Sequence, residues 1–370
     1  MSEKLTIRNF GPIKDMSFDF KKINILIGDQ GTGKSTIAKI VSAIYNSQRL
    51  TMFDLPDDSL SQFFGHLDLM GIKNFVNLDT FLFYETKNFR LEFANGKILI
   101  KNQIDIDIAK FNYIPAERNM VHVLADSLFA LIDLKATLPK LFLRFGNKYQ
   151  SSRKNRNEFD YRSILGITFI HKNNGDYVRL QNGSEIYLSD ASSGIQGCVA
   201  LLTVVDDITT EHLPYNNQNN SDIDLGLLVI EEPELNCFPD TQNKILKYLL
   251  SKNKVSWFVH NSEISSVEEA LFKNQLFITT HSPYILTSLN NLMYAYQIGK
   301  NHKSEVEKIV ERKYWINPSD VSAYMLLPNG KCEKIIDSEG LIKAEKIDGV
   351  STILNKDFNA IMDIEINVTK

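Results

Sequence analysis

Residues 23–36 read "INILIGDQGTGKST": an apolar strand-like run, a glycine-rich turn and the first residues of a helical pattern. No other stretch constrains the fold as tightly. Gly28–Ser35 matches G-x-x-x-x-G-K-[ST], and a strand before it with a helix after it is the setting a P-loop requires. The expected helix runs from about Lys34 to Tyr45, with Ile37, Ile40, Val41 and Ile44 on one face. Glycines let successive backbone N–H groups converge on phosphate oxygens, and the helix start adds favourable partial charge. The residues assigned to phosphate binding are Gly28, Asp29, Gln30, Gly31, Thr32, Gly33, Lys34, Ser35 and Thr36. Lys34 is expected to reach the β- and γ-phosphates and Ser35 to ligate Mg²⁺.

Two more buried strands end in chemistry. "LLVIEEPEL" (227–235) closes on two carboxylates, where Glu231 suits Mg²⁺ and Glu232 suits a base that orients attacking water. "LFITTHSP" (276–283) places His281 at a strand end, where ligands of open α/β sheets collect, and a contact with the γ-phosphate is expected of it. "DASSGIQG" (190–197) puts Ser192, Ser193 and Gly194 at an expected helix start, which reads equally as a turn or as part of an anion site.

Elsewhere the pattern is antiparallel. A Gly11-Pro12 turn joins two short strands at the start, Asn95-Gly96 marks a hairpin, and Asn174-Gly175 with Asn182-Gly183 marks a meander. A strand ends at Pro115, and residues 120–134 are helical in pattern. Asp240 is expected to cap a helix over 240–252, and Asn329-Gly330 turns a last hairpin before a helix-like tail. The fold class is therefore α/β: a mixed sheet, an antiparallel β layer and a helical subdomain. The expected division is a head over 1–300, with a helical and basic insertion at 119–164, and a C-terminal α+β extension over 301–370.

Composition removes several classes. Hydrophobic residues at 43% and charged residues at 23% suit a soluble globular chain. A net charge of −4 argues against a uniformly basic nucleic-acid coat. No apolar stretch reaches membrane-spanning length and the start lacks a signal-peptide core, so a cytoplasmic location without membrane attachment is expected. Cys198, Cys237 and Cys332 are widely spaced and have no histidine at ligand spacing, which reads as reduced thiols. Residues 134–157 hold seven Lys or Arg and no acid, which reads either as a DNA-phosphate contact or as a solvated loop.

Taken in order, the P-loop, "SSGIQ", "VIEEPEL" and "TTHSP" resemble the ABC-type ATPase heads of the SMC/RecF/OLD group, over about residues 1–300. The opening "IRNFGPIK" resembles that group's first strand and turn. The resemblance implies ATP and Mg²⁺ as cofactors. It also implies a signature segment, here with Ser193, Gly194 and Gln196, that faces the nucleotide of a second subunit; Ile195 stands where a glycine is usual. A homodimer or higher homo-oligomer follows. The usual coupling glutamine is missing after "FNYIPAERN", where Glu117, Arg118 and Asn119 stand, and Arg118 is expected to sense nucleotide or to meet a partner. The short head resembles the stand-alone ATPases of bacterial phage-defence systems, which work with a separate nuclease or toxin subunit. A RecF-like role on duplex DNA is the alternative, and a transporter subunit fits less well without that glutamine. The Asp-x-Asp pairs Asp105/Asp107 and Asp222/Asp224 precede His281, so no nuclease activity is expected on this chain.

Overall fold

Strands covered on both faces are apolar at nearly every position, whereas strands with one wet face alternate. Both kinds occur here, and they separate the layers. The computed structural model describes residues 3–48, 59–87, 89–102, 111–125, 138–210, 226–255, 271–272 and 274–343. The expected helix over 126–134, the Asp-x-Asp pairs and the C-terminal tail lie outside these residues.

The central sheet has six strands, in the order Cys332–Lys334, Val321–Leu326, Ile23–Gly28, Asn274–Thr280, Gly226–Glu231 and Phe111–Ile114. The last five are mutually parallel and the first is an antiparallel edge. Register is set by pairs such as Ile278 with Ile25 and Ile230 with Ile278. Alternate residues of each strand enter two different cores. Ile23, Ile25, Leu228, Ile230 and Ile278 meet helices Ser193–Thr210, Pro239–Lys252 and Pro283–Gly299 on one face. On the other, Leu26, Leu227, Val229 and Phe277 meet helix Lys34–Gln48.

A five-stranded antiparallel sheet closes that second core. Its order is Ile13–Phe20, Glu3–Phe10, Phe81–Glu85, Phe89–Ala94 and Lys97–Asn102. The hairpin at Asn95-Gly96 has φ of 51° and 69°, the left-handed pair that a two-residue turn demands. A four-stranded meander, Glu158–Tyr161, Ile167–Lys172, Gly175–Arg179 and Glu185–Tyr187, stands beside the helical subdomain. The α/β class with a mixed sheet and antiparallel layers is the observed one.

Three expectations change. The C-terminal segment, set apart at residue 300, supplies two strands of the central sheet, with Val321–Leu326 hydrogen-bonded along the P-loop strand Ile23–Gly28. Asp240 is not the cap: the helix starts at Pro239 after Phe238, because proline at the first position fixes the helical φ without losing a needed N–H. Asp240 instead pairs with Lys244 one turn on, at 2.6 Å.

The basic stretch is the third. Most of it is helix Lys140–Ser152, which buries Leu141, Phe142, Phe145 and Tyr149 at helical spacing. Lys140 pairs with Asp68, Lys148 with Asp207 at 2.8 Å, Arg153 with Asp176, and Arg144 lies over the Phe111 ring. These four cations have partners within the fold, and Lys154 and Arg156 beyond the helix are exposed, so the described part of the stretch is a packed helix and not a bare loop.

Ile278 is fully buried between two parallel neighbours. Ile278→Ala should therefore lower the unfolding free energy by about 2–5 kcal/mol. Leu99→Ala, on the exposed edge strand, should stay within about 0.5 kcal/mol. Denaturant unfolding monitored by far-UV circular dichroism separates the two.

Candidate functional site

Parallel strands all deliver their carboxyl ends to one edge, so the loops after all five meet there. The loop after Ile23–Gly28 is the P-loop. Gly31 and Gly33 have φ of 76° and 100°, conformations that a side chain resists. Thr32 donates from its hydroxyl to the Asp29 carbonyl at 2.8 Å and sets the turn. Lys34 is buried, and its ammonium donates to the carbonyls of Gly28 and Asp29, each at 2.8 Å. Burial pulls the Lys34 pKa below its ordinary value, opposed by the nearby carboxylates of Glu232, Asp29, Glu234 and Glu231. Asp29, Gln30 and Ser35 are exposed, while Thr36 is buried in the first helical turn.

The loop after Gly226–Glu231 carries the acids. Glu231 is buried; one carboxylate oxygen accepts from the Ala116 N–H at 3.3 Å, and the other, Oε1, has no hydrogen-bond partner. A buried, orphaned carboxylate oxygen costs stability unless something occupies its lone pairs. The Thr279 hydroxyl, on the residue paired with Glu231 in the neighbouring strand, is also buried and without a partner. The Tyr113 hydroxyl lies beside the same carboxylate, its pKa pushed up first by burial and then by Glu231, and a carboxylate at such a strand end is the kind of hard oxygen donor a magnesium ion takes.

Glu232 has φ of 44°, in the left-handed region, a strain on the order of 1–3 kcal/mol for such a residue. The surroundings hold it there. Its N–H donates to the Thr279 carbonyl at 2.9 Å, and its carbonyl accepts from the Arg118 guanidinium at 2.7 Å. Arg118 donates as well to the carbonyls of Glu231 at 2.7 Å and Pro115 at 3.2 Å. The Glu232 carboxylate lies 3.3 Å from His281 Nε2. Glu234, the third acid of the run, accepts from the Thr280 hydroxyl at 2.6 Å and from the His281 backbone N–H at 2.8 Å. Its pKa is raised, first by burial, and those hydrogen bonds oppose the shift. The P-loop, Glu231, Glu232 and His281 are thus brought to one edge.

"DASSGIQG" divides in two. Ser192 and Ser193 are exposed at the start of helix Ser193–Thr210, and the Ser192 hydroxyl accepts from the Ile195 N–H at 3.4 Å. Gln196 faces inward: its amide donates to the carbonyls of Ser189 at 2.9 Å and Ala191 at 2.8 Å. Gly194 is fixed by a close approach, since a Cβ there would lie 2.4 Å from the Asn236 carbonyl oxygen. The glycine that sequence reading gives to phosphate is also the one that lets this helix rest on the acidic turn.

Sequence reasoning missed the part played by Arg118 and Glu234. Arg118 is fully buried, so it meets no partner protein; it holds the two glutamates from behind. Glu234 stood in the quoted motif, but its aim at His281 depends on a strand more than forty residues away.

The family described as AAA ATPase domain matches residues 1–105 and 130–286. No curated protein matches the chain significantly. Among solved structures, an SMC head bound to the C-winged helix domain of ScpA is similar at 9% identity and TM-score 0.46, over 94% of this chain and 99% of that one. The SMC head domain from Thermotoga maritima is similar at 12% and 0.38, over 90% and 98%. RecF with ATPrS, a recombination mediator protein of the RecFOR pathway, is similar at 12% and 0.39, also over 90% and 98%.

His122 reports on how the helix after "DASS" is held. Its Nε2–H donates to the Gln196 carbonyl at 3.0 Å and its ring meets Tyr149 edge-on. Burial drives its pKa down to about 4. The unfolded chain binds a proton near pH 6.5 that the folded chain refuses, so this group's stability contribution is present above pH 6.5 and is lost as pH falls toward 4. His122→Gln, which keeps a donor but cannot titrate, should lose about 3 kcal/mol less than wild type between pH 6.5 and 4. Denaturant titrations of both proteins at the two pH values measure the difference.

Proposed function

The chain belongs to the AAA ATPase domain family, and from that premise we propose that it binds and hydrolyses ATP with Mg²⁺, closes as a dimer around two nucleotides, and uses that closure to control a separate effector. Its motif order is that of ABC-type ATPases of the SMC/RecF group. One observation carries the reading: Glu232 is held in a strained backbone conformation, within 3.3 Å of His281, on the edge that also presents the P-loop.

In this reading the loop from Gly28 to Thr36 offers its backbone N–H groups to the phosphates, with Asp29 and Gln30 on its open side. Lys34 exchanges two carbonyl acceptors for β- and γ-phosphate oxygens. Ser35 and Glu231 would hold Mg²⁺, which when bound neutralises charge on the phosphates. Glu232 takes the proton of the attacking water, and His281 orients the reacting side of the site. Ser193 and Gly194 of a second copy face the terminal phosphate from the exposed start of their helix. Gln196 acts at one remove, by keeping that turn in shape.

The effector is a nuclease or toxin subunit and the setting is bacterial anti-phage defence, a reading supported by the resemblance to stand-alone defence ATPases. The RecF-like alternative has its best support in the basic stretch, of which Lys140, Lys148 and Arg153 are ion-paired within the fold. Duplex binding that strengthens with ATP and weakens with salt would bring the alternative back.

Lys34→Ala should abolish nucleotide binding without unfolding the chain, because Lys34 bonds only to loop carbonyls. Glu232→Gln should keep binding but stop turnover, leaving a dimer that persists with ATP-Mg²⁺ in gel filtration. Unchanged affinity in the first variant, or normal turnover in the second, would sink the assignment.

Ser193→Arg should leave binding to the single subunit nearly unchanged and block dimer closure. Mixed with Lys34→Ala it should recover partial turnover, since one composite site then pairs an intact P-loop with an intact "DASSGIQG". Normal dimerisation and turnover by Ser193→Arg alone would reduce the segment to a turn.

A further inference from the structure

Two of the three cysteines, 39 positions apart in sequence, meet beside the acidic turn. Cys198 lies in the second turn of helix Ser193–Thr210 and is almost wholly buried; Cys237 ends the turn that begins at Glu231 and is half-buried. Their sulfurs are 3.2 Å apart and both are free thiols. The third, Cys332, sits on the edge strand Cys332–Lys334 with its sulfur near the Ser17 carbonyl.

We propose that Cys198 and Cys237 form a peroxide-reactive modification site, whose disulfide fixes the start of the "DASS" helix to the Glu231–Cys237 turn and lowers ATP turnover. The second half of that statement rests on the function proposed above. Cys237 is the attacking group, because its sulfur is the more accessible of the two. Arg118 supplies a buried positive charge beside both sulfurs, and thiolates are favoured by such a neighbour. The hydrogen bond from Cys198, with Arg118 behind it, pulls the Cys237 thiol below its usual range against the opposing effect of burial.

The chemistry balances with hydrogen peroxide as oxidant. The Cys237 thiolate attacks one peroxide oxygen, the O–O bond breaks, and the departing hydroxide takes a proton to leave as water. Cys237 is then a sulfenic acid. The Cys198 sulfur attacks the Cys237 sulfur, the S–O bond breaks, and a second water leaves with the Cys198 proton. Two thiols have given two electrons to one peroxide. A thiol reductant returns both by exchange.

The geometric consequence follows from bond length. An S–S bond is about 2.05 Å long, so the sulfurs must close by about 1.2 Å. Little slack is available nearby. The Asn236 carbonyl already abuts Gly194, and Asn236 itself is left-handed at φ 59°. What rotation about the two Cα–Cβ bonds does not take up passes to the helix start at Ser193 or back along the turn to Glu232.

The test uses the whole chain, treated with hydrogen peroxide and then alkylated. Two of the three thiols should become unreactive, a Cys198–Cys237 linked peptide should appear, and Cys332 should still alkylate. ATP turnover should fall by about tenfold or more, since a displacement of about 1 Å costs up to about 100-fold, and dithiothreitol should restore it. Cys237→Ser, at the half-buried position, should keep its turnover under peroxide, and Cys198→Ala should do the same. Three thiols that all remain reactive, or a linked pair with unchanged turnover, would overturn the proposal. The thiol count does not depend on catalysis. A reduced protein without turnover whose pair still links would therefore count against the ATPase reading and leave the thiol site standing.

Discussion

A buried guanidinium holds this site together. Arg118 has no solvent exposure and gives its hydrogen bonds to the carbonyls of Pro115, Glu231 and Glu232. Taking a charge out of water is expensive, and it is tolerated where several oriented acceptors receive it. Here the acceptors are backbone carbonyls at the ends of two parallel neighbours, Phe111–Ile114 and Gly226–Glu231. Glu232 turns left-handed at that point, and its carbonyl is pinned by Arg118 while its N–H is pinned by Thr279. The carboxylate is thus aimed by its backbone and by His281, and an isolated strand end would not keep it so.

The same turn touches the His281 motif and the "DASSGIQG" segment. Glu234 reaches across to Thr280 and the His281 N–H. Asn236 receives Gly194 at a distance only a glycine allows. The Cys237 carbonyl accepts from Gln242, whose amide oxygen accepts from Ser282, and Ser282 in turn caps helix Pro283–Gly299. Residues 231–237 therefore work as a template. Groups sharing one network do not contribute independently, so the glutamate, the histidine and the start of the "DASS" helix form one mechanical unit.

What was legible in the sequence is what periodicity and strand ends encode. The apolar runs at 23–28, 226–231 and 274–280 read as buried strands because both faces are covered, and parallel pairing put Glu231, Glu232 and His281 on the P-loop edge. The helix at 140–152 was obscured because Lys140, Arg144 and Lys148 share its polar face with Asn147 and Gln150, in a stretch of seven cations and no acid that masks the spacing of Leu141, Phe142, Phe145 and Tyr149. The acids that pair with Lys140, Arg153 and Lys148, namely Asp68, Asp176 and Asp207, lie outside the stretch. Arg118 was beyond reach for a related reason: its partners are backbone carbonyls, which carry no residue signature. The thiol pair needed a contact across 39 positions that no local pattern announces.

Gly194 shows how one residue type can answer two demands. Its place at a helix start suits a close approach to phosphate, and its lack of a Cβ admits the Asn236 carbonyl, whose oxygen would lie 2.4 Å from any Cβ placed there. Sequence alone cannot divide these demands, because each requires the same absence of a side chain. The neighbours divide them. Ser192 and Ser193 are open to solvent, whereas Gln196 is turned inward on Ser189 and Ala191. The segment therefore has an outer face free to receive a ligand and an inner face that grips the acidic turn, with Gly194 at the boundary. The same helix meets the turn a second time through the Cys198 and Cys237 sulfurs at 3.2 Å, so the segment and the turn that aims Glu232 are joined at two points and not at one.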